Sequence, residues 1–132
     1  MKVTVCSFSY KLGLPSDPAD NGGGFVFDCR VLPNPFWAKE LRFCTGRDKP
    51  VIDFFSGYET EVARFINPIS MLVLNSVRTY EDDGREHLFV AFGCTGGQHR
   101  SVFCAERIAE LLKKDAACEV ELIHSAKEQW KT

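Results

Sequence analysis

The chain has 132 residues and a formal net charge of −2 at pH 7. A chain of this length buries roughly two thirds of the surface that it exposes when unfolded, so it needs no disulfide or metal ion to be stable. The net charge excludes a general electrostatic attraction to nucleic acids, for which a local basic patch would be needed. No segment approaches the roughly 20 apolar residues that a membrane span requires. The first residues, Met1–Gly13, lack the apolar core of a secretory signal, so we expect a cytoplasmic protein with no membrane partner.

The cysteines are predicted to be reduced thiols rather than disulfides or metal ligands. No two of them form a C-x-x-C pair, and their spacing relative to the three histidines is not that of a zinc site. Most of them fit the role of small apolar core residues. The sequence therefore predicts neither a metal nor a cofactor. The cysteines are Cys6, Cys29, Cys44, Cys94, Cys104 and Cys118.

The first third of the chain predicts two strands separated by a loop. Val3–Ser9 is rich in β-branched residues and predicts an opening strand, whereas glycine and proline punctuate the segment Gly13–Gly24. Phe25–Asp28 predicts a short second strand. Prolines at two positions of Leu32–Phe36 exclude a helix there, and Trp37–Leu41 is compatible with a short helical turn.

The middle of the chain predicts two helices. Asp48 followed by Lys49 and Pro50 is typical of a helix start, with the helix running through Phe55. Apolar residues then recur at helical spacing from Val62 to Tyr80. Pro68 interrupts this pattern, so either Asn67 caps a new helix or a single helix kinks at the proline.

The last third predicts a central strand, an amphipathic helix and an edge strand. Leu88–Phe92 is a continuous apolar run, as in a strand buried on both faces. Arg100–Lys114 places its apolar residues on one helical face, and Cys118–His124 alternates polar and apolar residues. Alternation of strands with helices predicts one α/β domain over residues 1–132, with a mostly parallel or mixed sheet and helices packed on it.

The loop between the central strand and the last helix predicts a binding site for an oxyanion. Ligands of open α/β sheets bind at the carboxyl ends of the strands. The loop glycines permit close approach of the backbone, and the amides of the loop and of the first helical turn have no internal partners. The side chains add hydroxyl, imidazole and guanidinium donors. The predicted anion-binding residues are Thr95, Gly96, Gly97, Gln98, His99, Arg100 and Ser101.

Arg30 is a second candidate for the same cleft. It directly follows the second predicted strand, and Asp28 is placed to hold an arginine in position. A purely structural ion pair between these two residues explains the pattern equally well. A ligand-free turn with a capping Ser101 is the corresponding structural interpretation of the loop.

Cys94 introduces a catalytic alternative. Cys94, Gly97, Arg100 and Ser101 match the C-x-x-G-x-x-R-[ST] pattern of cysteine-dependent phosphatases, in which a thiolate attacks phosphorus and the arginine holds its oxygens. The usual histidine before the nucleophile is Gly93 here, and the spacing identifies no general acid. We therefore expect a binding module with no catalytic residues, and catalysis by Cys94 and Arg100 is the alternative.

Four segments, in this order, resemble the C-terminal domain of the RapZ/YvcJ family of RNase adapters and nucleotide-binding proteins. Their motifs are SFSYKLGLP, FDxRxLPNPxW, LRxxTGxDKPV and GCTGGQHRSV, and together they cover nearly the whole chain. The segments are Ser7–Pro15, Phe27–Trp37, Leu41–Pro50 and Gly93–Glu106.

The resemblance implies a function that composition does not. In that family this domain binds a phosphorylated amino sugar or a surrogate anion at the glycine-rich loop, forms homo-oligomers, binds small regulatory RNA, and recruits protein partners. By position, Thr95–Ser101 would form the anion loop and Arg30 would be a pocket arginine. Tyr10, Lys11 and Asp28 would be further candidates for the pocket.

The chain departs from the family pattern at several places. It contains no G-x-x-x-x-G-K-[ST] motif, so we expect the family's P-loop kinase-like domain to be absent and no nucleotide hydrolysis. The residue after Lys11, often His or Tyr in the family, is Leu12. The final segment, Ser125–Thr132, has two lysines and one glutamate and offers little attraction to RNA phosphates.

The expected partner is therefore a phosphorylated small molecule or an inorganic anion. An RNA-binding adapter is a further alternative, which would need a basic surface assembled from Lys11, Arg42, Arg47, Lys49 and Arg78.

Overall fold

Strands and helices alternate along the chain, and the computed structural model describes all residues 1–132. The elements in chain order are β1 (Lys2–Ser9), β2 (Phe25–Asp28), α1 (Lys49–Ser56), α2 (Glu59–Asp82), β3 (His87–Cys94), α3 (Arg100–Asp115) and β4 (Glu119–His124). Short 3-10 turns occupy Tyr10–Leu12, Cys29–Val31, Pro35–Trp37, Lys39–Leu41 and Lys127–Gln129. None of the helices combines the length and the apolar character needed to cross a bilayer.

The strands form one wholly parallel sheet in the order β2-β3-β1-β4. The inner strands β1 and β3 are buried almost throughout, as the continuous apolar run of β3 predicts, whereas β4 alternates between exposed and partly buried residues. The predicted α/β class is confirmed. Because all strands point the same way, their carboxyl ends meet at one edge, where Cys94 pairs with Ser9 and Gly93 pairs with Asp28.

The main core lies between the sheet and the helices. α3 packs on β1, β3 and β4, and α2 packs on both α3 and β3. The fully buried residues of α3 include Cys104, Ile108 and Leu112, which follow the apolar face that the sequence predicts. All the cysteines are free thiols, and four of the six are buried.

The other face of the sheet is covered by a loop. The connections β2–β3 and β3–β4 run along the sheet in one direction, whereas β1–β2 runs in the opposite direction. Right-handed crossovers of opposite direction lie on opposite faces. Accordingly Leu14 and Pro15 of the β1–β2 loop line a cavity with Cys6 and Phe89, which belong to the second, smaller apolar cluster.

The structure decides two local questions about the prolines. α2 runs unbroken through Pro68, so Asn67 does not cap a new helix. Pro68 is exposed, whereas Ile66 and Ile69 on either side are buried, so the carbonyl that loses its amide partner faces water. The prediction that Leu32–Phe36 contains no helix is wrong for its last two residues, because a 3-10 turn begins at Pro35. The first position of a helix needs no amide hydrogen bond, so a proline is tolerated there.

Gly46 is a point of close approach between the segment before α1 and the start of α3. A Cβ atom at this position would overlap the carbonyl oxygen of His99 and the amide nitrogen of Phe103. The amide of Gly46 donates to the carbonyl of Gln98 across 2.8 Å. The absence of a side chain therefore allows this segment to pack directly against the β3–α3 loop.

We expect Gly46→Ala to lower the free energy of unfolding by about 2 kcal/mol or more, because backbone atoms must move to admit the methyl group. Urea denaturation followed by circular dichroism measures this change. Gly57→Ala is the matched control, since its Cβ would meet only ordinary contact at 3.4 Å. Equal stability of the two variants would contradict the close packing inferred at Gly46.

Candidate functional site

A pocket of about 430 Å³ opens at the edge of the sheet where the parallel strands end. It is bounded by the turn after β1, the segment after β2, the β3–α3 loop and the end of the chain. The lining residues are Ser9, Lys11, Leu12, Asn34, Phe36, Cys94, Thr95, Gly96, Gln98, His99, Arg100, Gln129 and Lys131. A cavity of similar size, about 410 Å³, lies near the amino-terminal ends of the strands, and it contains carboxylates from Asp17 and Glu86.

The charges that line the pocket all have the same sign. Lys11, Arg100 and Lys131 contribute cationic groups, and no aspartate or glutamate is among the lining residues. None of these three cations forms an ion pair, since the salt bridges of the chain involve Lys2, Arg30, Lys49 and His124. The lining of the pocket therefore has a net positive charge, which favours an anionic ligand.

The β3–α3 loop forms one wall of the pocket. Gly97 has a φ of +66°, and a Cβ there would lie 2.8 Å from the Cβ of Ala126 and 2.9 Å from the amide nitrogen of Ser9. No backbone amide from Thr95 to His99 donates to another backbone group outside the helices and strands. These amides, at the amino-terminal end of α3, are available to a ligand.

Cys94 has hydrogen-bond partners within the fold. Its thiol donates to the hydroxyl of Ser101 at 3.1 Å and accepts from the amide of Ser101 at 3.4 Å. Cys94 is buried, and Ser101 is fully buried. Both residues thus join the end of β3 to the first turn of α3, and of the two only Cys94 lines the pocket.

Arg100 lies in the pocket wall with only 7% of its surface exposed. Its Nη1 atom donates to the carbonyl oxygens of Arg30 and Leu32 at 3.2 and 3.3 Å. A guanidinium has five N–H donors, so these two bonds leave donors for an anion. Arg100 therefore holds the segment after β2 in place and also contributes charge to the pocket.

Gln98 joins three segments. Its side-chain nitrogen lies within hydrogen-bond distance of the carbonyl oxygens of Arg42, Cys44 and Lys131, at 3.1, 2.9 and 2.9 Å. Its side-chain oxygen accepts from the amide of Lys131 at 2.9 Å. The loop, the segment before α1 and the end of the chain are therefore fixed relative to one another.

His99 is neutral near pH 7. Its Nε2 atom donates to the carbonyl of Leu41 at 2.8 Å. Burial lowers the pKa of its imidazole below the usual 6.5, and the carbonyls of Leu41 and Cys44 oppose this shift only in part. His99 therefore contributes a neutral ring to the pocket and tethers the turn that ends at Leu41.

Arg30, Asp28 and Tyr10 lie beside the pocket and not in its lining. The guanidinium of Arg30 contacts the carboxylate of Asp28 at 2.7 Å and stacks on the ring of Tyr10 at 4.0 Å from its centroid. The hydrogen bond from Arg30 lowers the pKa of the Asp28 carboxyl. Both side chains of this pair are nearly half exposed, and neither is among the residues that line the pocket.

Sequence reasoning did not identify several residues that line the pocket. Ser9 lies at the end of β1, where its hydroxyl donates to the carbonyl of Thr95 at 2.6 Å. Asn34 and Phe36 belong to the FDxRxLPNPxW motif, but no local pattern indicates that they face the loop. Gln129 and Lys131 lie about 30 residues beyond the loop in sequence, and no signal in the sequence links them to it.

Comparison with known proteins agrees with the motifs in these segments. A family model described as the RapZ C-terminal domain matches residues 1–128. The chain belongs to the RapZ C-terminal domain family. The match includes the entire sheet, all three helices and every pocket segment except the last residues.

Several relatives of this RapZ C-terminal domain are named "Nucleotide-binding protein". The one from Actinobacillus succinogenes is 43% identical over 131 residues, covering 99% of this chain and 43% of the relative. The one from Chromobacterium violaceum is 50% identical over 103 residues, covering 78% and 35%. The one from Thermotoga neapolitana is 43% identical over 121 residues, covering 92% and 41%. The chain therefore spans between 35% and 43% of the length of these relatives.

His124, the last residue of β4, is a second buried imidazole. The Nδ1 atom of His124 is 2.6 Å from the hydroxyl of Ser7, and its Nε2 atom is 3.6 Å from a carboxylate oxygen of Glu106. Its side chain is only 6% exposed, and burial lowers its pKa below 6.5 although Glu106 opposes the shift. The ring also lies against Trp130, with centroids 5.4 Å apart.

The lowered pKa values of His99 and His124 predict that acid destabilises the domain. Below about pH 6.5 the unfolded chain protonates both rings while the folded chain resists protonation. The unfolded state then binds more protons, so the stability of the fold decreases as the pH is lowered. We expect a lower melting temperature at about pH 5.5 than at about pH 7.5. Differential scanning calorimetry at the two pH values measures it.

The variant His99→Gln provides the control, since its amide nitrogen can donate to the carbonyl of Leu41 but does not titrate. Its melting temperature is expected to change less between the two pH values. An identical pH dependence in the variant would contradict a contribution from His99.

Proposed function

We propose that this domain is a non-enzymatic binding module for a phosphorylated small molecule, such as an amino-sugar phosphate. The observation that carries the proposal is a pocket with three cationic side chains, no carboxylate in its lining and no ion pair for any of the three cations. A site with this charge binds a group that is anionic at neutral pH and excludes cations. Phosphate esters fit this description and match the hydrogen-bonding capacity of the loop amides.

The arrangement of donors supports a ligand with a polar body attached to its phosphate. The loop amides and Arg100 lie in one wall of the pocket, where several N–H groups can bind a tetrahedral anion at once. Asn34 and Gln129 add neutral hydrogen-bonding side chains to the lining, and Phe36 adds an aromatic surface. Hydroxyl-bearing molecules such as sugars use neutral donors and acceptors of this kind.

Binding is better supported than hydrolysis. A phosphatase mechanism at Cys94 requires a general acid to protonate the leaving group, and the pocket lining contains no carboxyl group to supply one. The thiol of Cys94 is also engaged twice with Ser101. These contacts favour a structural role for Cys94 at the end of β3.

A small ligand is also better supported than RNA. Several residues that the sequence suggests for a basic surface have partners within the fold. Lys49 pairs with Asp53 at 2.7 Å, Arg42 donates to the carbonyl of Phe36 at 2.9 Å, and Arg47 stacks on Trp130. Of the five residues suggested for that surface, only Lys11 lines the pocket.

The first test is the affinity for inorganic phosphate, measured by isothermal titration calorimetry. We expect Lys11→Ala to weaken binding by about tenfold, since a charge-assisted hydrogen bond is lost. Lys113→Ala, on the exposed end of α3 far from the loop, is expected to bind as the wild type does. Absence of phosphate and sulfate binding by the wild-type domain would refute the proposal.

A second test separates binding from catalysis. Cys94→Ser replaces the thiol with a hydroxyl. This variant is expected to retain phosphate affinity within about twofold, because amides and cations hold the anion. The wild-type domain is expected to hydrolyse p-nitrophenyl phosphate no faster than buffer. Turnover that disappears in Cys94→Ser would support the phosphatase instead.

A further inference from the structure

The end of the chain folds back onto the anion loop. After β4, the amide and hydroxyl of Ser125 both donate to the carbonyl of Ser7, at 2.9 and 3.0 Å. Ala126 is fully buried next to Gly97. The indole nitrogen of Trp130 then donates to the carbonyl of Gly97 at 2.8 Å. The segment 125–131 therefore packs against the end of β1 and the β3–α3 loop.

The backbone of Lys131 is held by Gln98, and its exposed side chain approaches Phe36. Its backbone amide and carbonyl each form a 2.9 Å hydrogen bond with the side chain of Gln98. Its ammonium lies 5.3 Å from the centroid of the Phe36 ring, which lines the pocket on the side of the segment after β2. The side chain thus extends between two walls of the pocket, and it has no carboxylate partner.

We propose that Lys131 contacts the bound anion and that Gln98 is the positioning residue that holds Lys131 at the pocket. This inference rests on the proposed binding of a phosphorylated ligand and extends it, because it makes the last residues of the chain part of the site. An ammonium over an aromatic ring keeps its charge available to a ligand, whereas pairing with a carboxylate would neutralise it. Lys11 and Arg100 supply charge from other segments, so Lys131 completes the set from a third segment.

The test compares two lysines of the same segment. Lys131→Ala is expected to raise the dissociation constant for inorganic phosphate at least about fivefold in calorimetry near neutral pH. Lys127→Ala removes an exposed lysine that does not line the pocket, and it is expected to bind as the wild type does. Equal affinities of the two variants, with the wild type binding phosphate, would overturn the role of Lys131 while leaving the proposed function intact.

A double-mutant cycle tests the positioning role. Gln98→Met has a similar volume but cannot bond to Lys131, so in its background Lys131→Ala is expected to have almost no further effect on phosphate affinity. A fully additive loss would show that Lys131 reaches the anion without Gln98 and would overturn this part. The fluorescence of Trp130, observed in a Trp37→Phe background, reports whether the segment stays packed in each variant.

If the wild-type domain binds neither phosphate nor sulfate, both the proposed function and this inference fail. If it binds them and Lys11→Ala weakens binding while Lys131→Ala does not, only the inference fails.

Discussion

Gln98, His99 and Arg100 are three consecutive polar residues, each buried, and each donates to backbone carbonyls of segments that are distant in sequence. A buried carbonyl without a partner costs about 1–3 kcal/mol, so these bonds determine which arrangements of the loops are tolerated. The bonds fix the segment after β2, the turn before α1 and the end of the chain around one point. The pocket is the space that remains between these segments. Its shape therefore depends on Gln98, His99 and Arg100, which we call the polar hub.

The same hub explains how the pocket can retain unpaired charge. Arg100 and Lys131 are held by backbone carbonyls, by Gln98 and by the Phe36 ring, and none of these partners is negatively charged. Positioning without neutralisation leaves the electrostatic potential available to a ligand. The nearby Arg30 is held differently, because its charge is paired with the carboxylate of Asp28 and the pair is partly exposed to solvent.

The sheet places this hub at its centre. β1 and β3 are the inner strands, and the loop that follows β3 therefore lies beside the ends of both of them. In a parallel sheet the strand connections diverge to opposite faces at such a point and leave a crevice between them. Here the β1–β2 connection crosses one face without a helix, while the helices cover the other face. The crevice is consequently bounded by loops, and their hydrogen bonds to the hub give them a defined position.

Three features can be predicted from the amino-acid sequence alone: the succession of strands and helices, the central strand buried on both faces, and the glycine-rich loop before α3. These features depend on periodicity and on turn residues over a few neighbouring positions, which a single sequence displays directly. The family also followed from the sequence, because its motifs are contiguous. Which side chains share the pocket becomes visible in the folded chain, where Phe36 and Lys131 line it and Arg30 does not. These positions depend on hydrogen bonds between residues 33 or 58 positions apart, such as Gln98 with Lys131 and His99 with Leu41, and no local pattern encodes such pairings.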